Sequence, residues 1–265
     1  MENKIMTFNL RVDIPQDGPN VWANRAEAAS KVILDHEPLV IGTQEGKLHM
    51  LKDLDNQLPK YDWFGEGRVG GLEDEFCAIF YNTQLLECVE TGQFWLSEQP
   101  EVANSVSWNS CFPRICTWGH FRFKQEPNKE FIVYNTHLDH ISQEARENGI
   151  ALIWERLNQQ YKEENVPILL TGDFNSEPDN PVIQFLRGLA IINNQTVHMQ
   201  DAFKKLTKKP GKTFHNFKGG QSGEPIDYIF CTTDIVVERL EVDRRQIGDV
   251  FPSDHYPVVM TFRLS

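Results

Sequence analysis

The sequence predicts an α/β fold in which two β-sheets pack together and helices cover their outer faces. Short runs rich in β-branched and aromatic residues recur from end to end, and amphipathic helical segments lie between them. Strands outnumber helices, and neither type is confined to one half of the chain, which favours packed sheets covered by helices. Neither a linker-like segment nor an internal repeat interrupts this pattern, so we expect residues 1–265 to form one domain.

Eight segments are predicted to be strands because Gly, Pro, Asn or charged residues bound runs of apolar side chains. Several runs are apolar at nearly every position, which indicates burial on both faces. The predicted strands are residues 5–10, 39–42, 76–81, 115–123, 131–136, 168–171, 226–231 and 258–262.

Four segments have the apolar spacing of helices. In residues 21–36 and 47–58 the apolar side chains recur every three or four positions and form one stripe. Residues 142–161 share this pattern, and Ser142 is suited to capping the first turn. A shorter helix is predicted over residues 181–189, because it begins with proline, which is common in a first helical turn.

Composition excludes several classes of protein. The chain has 38 acidic and 26 basic residues and a formal net charge of −12, the wrong sign for a protein that neutralises many phosphates along a nucleic acid. The sequence shows neither a secretory signal nor a run of about 18 apolar residues, so we expect no membrane partner. Its five cysteines lack paired spacing and are expected to be reduced thiols of a cytoplasmic protein.

One basic segment stands apart from this acidic background. Residues 202–223 contain no acid and carry six lysines, at positions 204, 205, 208, 209, 212 and 218. Two interpretations stay open, a solvated loop or an electropositive rim for an anionic substrate.

Polar side chains follow or begin most of the predicted strands. They are Asn9, Glu45, His137, Asp173, Asn175, Asp227, Asp254 and His255. Each alone is typical of a turn or cap, but burying the whole set would be costly unless it met a cation or an anion. Carboxylate and amide oxygens without thiolates suit Mg²⁺ or Mn²⁺, and two histidines beside such an ion suit a phosphoryl group. The pattern therefore indicates metal-assisted hydrolysis of a phosphoester.

The order of these motifs closely resembles the endonuclease/exonuclease/phosphatase superfamily. The matching motifs are Asn9, Gln44-Glu45, Thr136-His137-Leu138, Gly172-Asp173-Phe174-Asn175, Ile226-Asp227-Tyr228-Ile229 and Ser253-Asp254-His255-Tyr256-Pro257. The segment from Asn9 to Arg25 is similar to a bacterial, cytosolic branch of that superfamily, which includes proteins that remove phosphate from sugar phosphates such as maltose 6′-phosphate. The resemblance implies a four-layer α/β/β/α sandwich of two mixed sheets flanked by helices.

The resemblance also implies a role for each matched residue. Glu45 would bind the divalent metal, Mg²⁺ or Mn²⁺, with Asn9 and Asp254 as further ligands or ligand supports. Asp173 would orient or deprotonate the attacking water, and Asn175 and His137 would each hold a phosphate oxygen. His255, paired with Asp227, would donate to the phosphoryl group or activate water.

Further residues are candidates for substrate binding. Arg114 lies where related enzymes often carry a phosphate-binding arginine, and Arg25 belongs to a segment expected at the site rim. His215 is a candidate substrate contact or a polar surface residue, and Glu75 is an active-site acid or a strand-edge residue. Aromatic residues are expected mainly in the core, although the tryptophans at positions 22, 63 and 108 are candidates for stacking on sugar rings.

Three function classes follow from these observations. A phosphatase acting on a small phosphorylated metabolite, most simply a sugar phosphate, is favoured by the negative net charge. A nuclease or phosphodiesterase acting on DNA or RNA is the alternative, and a catalytically inactive binding module is disfavoured by the intact metal and histidine positions. The sequence does not fix the oligomeric state.

Overall fold

The computed structural model describes residues 2–265. Within these residues, the first sheet contains six strands: β1 (Asn3–Asn9), β2 (Val40–Gln44), β4 (Tyr61–Phe64), β6 (Ile79–Asn82), β13 (Ile235–Val242) and β14 (Val258–Leu264). Their order in the sheet is β13-β14-β1-β2-β6-β4, and β1 and β2 are its one parallel pair.

The second sheet contains β7 (Leu86–Trp95), β8 (Ile115–Phe123), β9 (Glu130–His137), β10 (Ile168–Asp173), β11 (Gln200–Asp201) and β12 (Asp227–Cys231). Their order is β11-β12-β10-β9-β8-β7, and this sheet also has one parallel pair, β9 and β10. Two short strands, β3 (Gly46–Lys47) and β5 (Glu75–Phe76), pair separately.

In the described part of the chain, four α-helices flank the sheets: α1 (Trp22–His36), α2 (Leu48–Gln57), α3 (Gln143–Glu164) and α4 (Pro181–Leu186). Short 3₁₀ turns cover Pro15–Asn20 and Ala202–Lys205. As the sequence predicts, the Ser142 hydroxyl caps α3 by accepting a hydrogen bond from the Ala145 amide. Among residues 2–265, no helix has the length and hydrophobicity that crossing a membrane requires.

The four layers follow from the alternation of side chains along the central strands. In β1, Met6 and Phe8 pack in the cluster that contains the apolar faces of α1 and α2, whereas Ile5 joins the cluster between the two sheets. On the other side, the Tyr134 hydroxyl of β9 donates to Gln160 of α3 at 2.6 Å. The fold is therefore the α/β/β/α sandwich of two mixed sheets that the resemblance implies.

The structure differs from the sequence-based prediction at the sheet edges. The strands β4, β7 and β13 are not among the predicted segments, and neither are the two-residue strands β3 and β11. The first three are all edge strands: β7 and β13 have many polar, exposed positions, and β4 is only four residues long. The prediction of one strand over residues 76–81 is wrong, since β5 and β6 are separated at Cys77 and Ala78 and pair with different strands. The fourth helix ends at Leu186, three residues earlier than predicted.

Both parallel pairs deliver polar residues to the same end of the sandwich. Asn9 aligns with Gln44 at the end of β1 and β2, and Asp173 aligns with His137 at the end of β10 and β9. The antiparallel strand β12 begins at this end, where Asp227 pairs with Asp173. The carboxyl ends of parallel strands thus build the site, as they do in open α/β sheets.

Candidate active site

Asn9 joins the acidic residues of the two sheets. Its side-chain Nδ2 donates to Glu45 Oε1 at 2.9 Å and to Asp173 Oδ2 at 3.0 Å. Glu45, the residue after β2, has a positive φ of 62° and also accepts from the Val12 amide at 2.8 Å. Burial alone would raise the pKa of Glu45, but the nearby His255, the Asn9 amide and the Val12 amide together lower it below its ordinary value. Glu45 is thereby held as a carboxylate.

Asp173 lies at the centre of the site, fully buried at the end of β10. Its Oδ1 accepts from the Asn175 amide at 2.9 Å, while its Oδ2 lies 3.5 Å from His137 Nε2 and 3.8 Å from His255 Nε2. Burial and the neighbouring Asp227 carboxylate raise the pKa of Asp173 to about 7. The Asp173 carboxylate therefore lies close to the Nε2 atoms of both His137 and His255.

His255 is paired with Asp227 beneath the site. With Nδ1 as donor, His255 contacts Asp227 Oδ2 at 2.9 Å, which leaves Nε2 directed towards Asp173. Burial acts to lower the pKa of His255, but Asp227 outweighs it and raises that pKa well above its ordinary value. The backbone of His255 is held by an isolated bridge to Phe214, so the ring is fixed at both its side chain and its main chain.

His137 has the opposite electrostatic environment. Asn175 Nδ2 donates to His137 Nε2 at 3.0 Å and to the Leu138 carbonyl at 3.0 Å. Burial, followed by the charge of Arg114, lowers the pKa of His137 well below its ordinary value. Its imidazole is therefore neutral, and its Nε2 lone pair accepts the hydrogen bond from Asn175.

Asp254 approaches the site from the segment before β14. Its Oδ2 lies 3.7 Å from Arg11 Nε, and Arg11 also binds both oxygens of Asp17 at 2.9 Å. The adjacent Ser253 hydroxyl donates to the Asn9 carbonyl at 2.6 Å. Burial raises the pKa of Asp254. The hydrogen bond between Ser253 and Asn9 ties the segment before β14 to the end of β1.

The site opens into a cavity of about 290 Å³. Glu45, His137, Asp173, Asn175, Asp254 and His255 line it together with Arg11, Val12, Arg68, Glu75, Phe112, Arg114, His140, Phe214 and Ile226. The structure therefore brings most of the predicted site residues to one place. Asn9 and Asp227 lie behind this surface, where they hold Glu45, Asp173 and His255 by hydrogen bonds.

One wall of the cavity is cationic, and sequence reasoning found only part of it. Arg114 Nη2 lies 3.0 Å from His140 Nδ1, and Arg114 Nε lies 3.7 Å from Asp139. Arg68 pairs with Glu75 through two contacts of 3.1 Å. Burial, followed by the charge of Glu45, raises the pKa of Glu75. Arg68 lies in a loop away from any strand end and His140 lies three residues past β9, so the strand-end pattern gave no signal for either.

Arg25 is not a substrate-binding residue, contrary to the sequence-based assignment. Its side chain is fully buried, and its guanidinium donates to main-chain carbonyls that include those of Leu10 and Asn20. Burial lowers the pKa of Arg25 to about 10. The residue fixes the loop after β1 against α1, and it is not part of the cavity lining.

His215 also lies outside the lining of the cavity. It is buried, its ring stacks on Tyr256 with centroids 3.9 Å apart, and its Nδ1 accepts from the Gly219 amide at 3.2 Å. Burial lowers the pKa of His215 to about 3. We therefore correct its assignment from substrate contact to packing residue.

The other rim candidates are also placed elsewhere. Within residues 2–265, the cavity lining includes none of the six lysines of the basic segment and none of the three candidate tryptophans. Trp22 is buried, and its indole N–H donates to Asp53 at 2.8 Å. The basic segment thus supplies no cation to the surface of this cavity.

The donor set fits a divalent cation. Glu45, His137 and Asp173 each offer a ligand atom, and these atoms lie within 4.8 Å of one another; Asp173, Asp227 and His255 form a second such group. Neither group includes a cysteine, and the carboxylate oxygens in both groups are donors that suit Mg²⁺ or Mn²⁺. The side-chain amide of Asn9 donates to both Glu45 and Asp173 and so holds the two carboxylates close together. A cation between these carboxylates would offset their mutual repulsion.

Residues 6–255 match the sequence profile of the Endonuclease/Exonuclease/phosphatase family. The structure resembles that of an endonuclease/exonuclease/phosphatase from Bacteroides vulgatus with a TM-score of 0.91, at 31% identity and with 100% of both chains covered. It resembles a mannosyl-6-phosphatase from Bacteroides thetaiotaomicron with a TM-score of 0.89, at 32% identity over 99% of this chain and 100% of that one.

Protein angel of Drosophila melanogaster is 30% identical over an alignment of 191 positions, and the alignment covers 68% of this chain and 50% of that protein. The chain thus spans about half the length of that curated relative. The family match includes every strand end that builds the site and all of the second sheet, and it stops before β14 of the first sheet. The chain belongs to the Endonuclease/Exonuclease/phosphatase family and is an enzyme that hydrolyses phosphoesters.

Proposed function

We propose that the chain acts as a single catalytic domain that removes phosphate from a small phosphorylated metabolite, a sugar phosphate of the maltose 6′-phosphate type, with Mg²⁺ or Mn²⁺. The observation that carries this proposal is the convergence of Glu45, Asp173 and the His255–Asp227 pair on one small cavity. The likeness to a mannosyl-6-phosphatase over almost the full length of both chains supports a sugar phosphate as substrate. The five free cysteines support a cytoplasmic location.

Glu45, Asp173 and His137 would hold the cation, with Asp254 beside them and Asn9 supporting both carboxylates. A divalent cation supplies charge stabilisation to phosphoryl oxygens and lowers the cost of bringing a nucleophile to an anionic ester. The carboxylate of Glu45 is suited to this role because hydrogen bonds from Asn9 and from the Val12 amide fix both of its oxygens.

Asp173 orients the attacking water, and His255 contacts the phosphoryl group. The Asn175 amide holds one Asp173 oxygen, so the carboxylate cannot rotate away from the cavity. The Asp227 contact fixes the His255 ring with Nε2 towards the substrate, where it donates to a phosphoryl oxygen. The water oxygen bonds to phosphorus and gives a proton to Asp173, the bond from phosphorus to the sugar oxygen breaks, and the departing sugar oxygen takes that proton to become a free hydroxyl.

The cationic wall binds the remaining phosphate charge. Arg114 is nearly buried, and its nearest carboxylate lies 3.7 Å from Nε. Arg114, which lies beside His140, is suited to pairing with a dianionic phosphate through two parallel donors. The net charge of −12 disfavours a polyanion beyond these first contacts.

The proposal is tested by incubating the purified protein and Mg²⁺ or Mn²⁺ with sugar phosphates, nucleotides and oligonucleotides. We expect a higher kcat/KM for a sugar phosphate than for any nucleic acid, and only weak dependence on salt concentration. The Asp173→Asn variant is the control that assigns the activity to this site. If oligonucleotide cleavage exceeds phosphate release from every sugar phosphate, the enzyme is a nuclease.

A further inference from the structure

Two phenylalanines, Phe112 and Phe214, have side chains that are exposed to solvent. All 17 phenylalanines lie within the described residues 2–265, and among them only Phe112 and Phe214 are exposed, with 40% and 43% of their surface open to solvent. The tryptophans and tyrosines are all buried or half-buried. Both exposed rings line the cavity that holds Asp173 and His255. Exposed aromatic surface that is confined to a site indicates a ligand that covers it.

The two rings are held in place by the catalytic surroundings. Phe214 lies beside His255, with ring centroids 5.0 Å apart and the planes tilted by 49°. The guanidinium of Arg68 lies 4.5 Å from the centre of the Phe112 ring, and the His140 ring is nearly parallel to that ring at 6.0 Å. Neither phenylalanine is therefore a loose surface side chain, and each presents a fixed apolar surface to the cavity.

The lining around these rings alternates between apolar and hydrogen-bonding groups. Val12 and Ile226 extend the apolar surface, while Arg68, Glu75 and His140 offer donors and acceptors. A short polyol would gain nothing from the apolar groups, and a purely apolar alcohol would leave the polar ones without partners. A sugar ring has both an apolar C–H surface and a rim of hydroxyls, so it fits both kinds of group.

The volume of the cavity limits how much of the substrate it encloses. About 290 Å³ lies at the lower end of the range for small-molecule sites. Because the phenylalanines line the same cavity as the catalytic carboxylate, they contact the group that is bonded directly to the phosphate. One ring and its phosphate would fill this space, and any second sugar unit would extend into solvent.

We propose that Phe112 and Phe214 form a specificity wall for the leaving group, and that this wall selects closed-ring hexose 6-phosphates over open-chain phosphate esters. The inference rests on the proposed phosphatase function and names the part of the substrate that the site recognises. A closed ring presents a preformed C–H surface to the wall, whereas an open chain must lose conformational freedom to do so.

The test compares glucose 6-phosphate with glucitol 6-phosphate, its open-chain counterpart, which carries the same phosphorylated primary alcohol. We expect the unmodified enzyme to favour the closed ring by about tenfold in kcat/KM. Phe112→Ala and Phe214→Ala should each raise KM for the closed ring about five- to tenfold and leave KM for the open chain within about twofold. The control is Leu189→Ala, since Leu189 is 71% exposed and lies outside the cavity lining.

Inhibition by inorganic phosphate separates substrate contact from mere support of the catalytic groups. If the wall contacts the sugar, the inhibition constant stays within about twofold in both variants, because phosphate alone does not reach the rings. If the rings only hold Arg68 and His255, kcat and phosphate inhibition change together for both substrates, and the proposal is overturned. Phe112→Leu and Phe214→Leu keep apolar volume and provide a second pair should an alanine variant misfold.

Two further results are decisive. Equal kcat/KM values for the closed and open substrates in the unmodified enzyme would overturn the specificity wall while leaving the proposed function intact. Cleavage of oligonucleotides without release of phosphate from any sugar phosphate would overturn the proposed function, and the specificity wall with it.

Discussion

Gln44 Nε2 donates a hydrogen bond of 2.7 Å to Asn135 Oδ1, and this contact joins the two sheets next to the site. Gln44 directly precedes Glu45, and Asn135 lies two residues before His137 in β9. Asn135 Nδ2 also donates to the carbonyls of Thr43 and Ala78 at 2.8 and 3.2 Å. A Cβ on Gly42 would lie 2.5 Å from Asn135 Oδ1, so glycine permits this close approach. The network fixes the spacing between the sheets that carry the site.

Asn135→Ala should therefore destabilise the fold. The substitution removes the side-chain donor to the Thr43 carbonyl, one of the donors to the Ala78 carbonyl and the shortest acceptor of the Gln44 amide, all in a fully buried place. We expect the free energy of unfolding to fall by about 2 to 4 kcal/mol. Chemical denaturation measures the change, and the exposed Asn128→Ala serves as a control with an effect of about 0.5 kcal/mol or less. Equal losses in the two variants would show that the buried network contributes nothing specific.

The strand-end rule predicted much of the site because topology does the positioning. Parallel pairing places Asn9 beside Gln44 and His137 beside Asp173, and each of these residues ends an apolar run that is visible in the sequence. The order of motifs along the chain could then be compared with a known superfamily. The same reasoning gave the layered fold, since buried central strands produce strong apolar runs.

The residues that the sequence misplaced depend on tertiary contacts with no local pattern. Arg25 lies on the buried face of α1, where four main-chain carbonyls replace the solvent that a helical arginine usually contacts. Arg68 reaches the cavity from a loop, and the exposure of Phe112 depends on what packs around it. No periodicity or strand boundary marks such positions. The edge strands escaped prediction for a related reason, because their polar outer positions hide the alternation.

Asp243 should make the stability of the protein depend on acid. Its buried carboxylate accepts from Arg245 Nη2 at 2.7 Å and lies 2.8 Å from His36 Nε2. Burial acts to raise the pKa of Asp243, but the contacts with His36 and Arg245 outweigh it and hold that pKa well below its ordinary value. Because the folded state has the lower pKa, the carboxylate stabilises it above pH about 4, and the effect is lost as the pH falls towards the folded pKa.

Asp243→Asn should accordingly cost about 2 kcal/mol of unfolding free energy at pH 7 and progressively less below pH about 4. Denaturant titrations between neutral and acidic pH measure the difference between the two proteins. The exposed Asp179→Asn is the matched control and should follow the unmodified protein throughout. A difference that stays constant down to the lowest pH would contradict the assignment.

Activity should require a divalent cation held by Glu45. We expect turnover to disappear with excess EDTA and to return when Mg²⁺ or Mn²⁺ is added, because the donors are hard oxygens and a neutral imidazole. Glu45→Gln keeps the shape of the side chain but removes its charge, and should raise the metal concentration for half-maximal activity at least about tenfold. Glu177→Gln, at an exposed glutamate, is the control. Full turnover after dialysis against EDTA would contradict a metal-dependent mechanism.

Asp173→Asn should act on the chemical step more than on binding. The amide retains the size of the carboxylate but cannot accept the proton of the attacking water. We expect kcat to fall by about 10² to 10⁴ fold, with KM changed by less than about threefold. Steady-state kinetics on the best sugar phosphate measure both constants, and thermal unfolding checks that the variant is folded. An unchanged kcat would remove Asp173 from its catalytic role.

Asp227 lies beneath the site and contacts His255. Its only side-chain contact in the site is with His255 Nδ1, and its other oxygen, Oδ1, has no hydrogen-bond partner among the described residues. Asp227 should therefore work through His255, by fixing the ring and stabilising its protonated form. We expect His255→Ala to lower kcat by about 10² to 10⁴ fold and Asp227→Asn to lower it by less. The double variant should be no slower than His255→Ala alone, since residues that act as a unit are not additive. The exposed His198→Ala is the control. If the two losses multiply in the double variant, Asp227 acts on the substrate or the cation independently of His255.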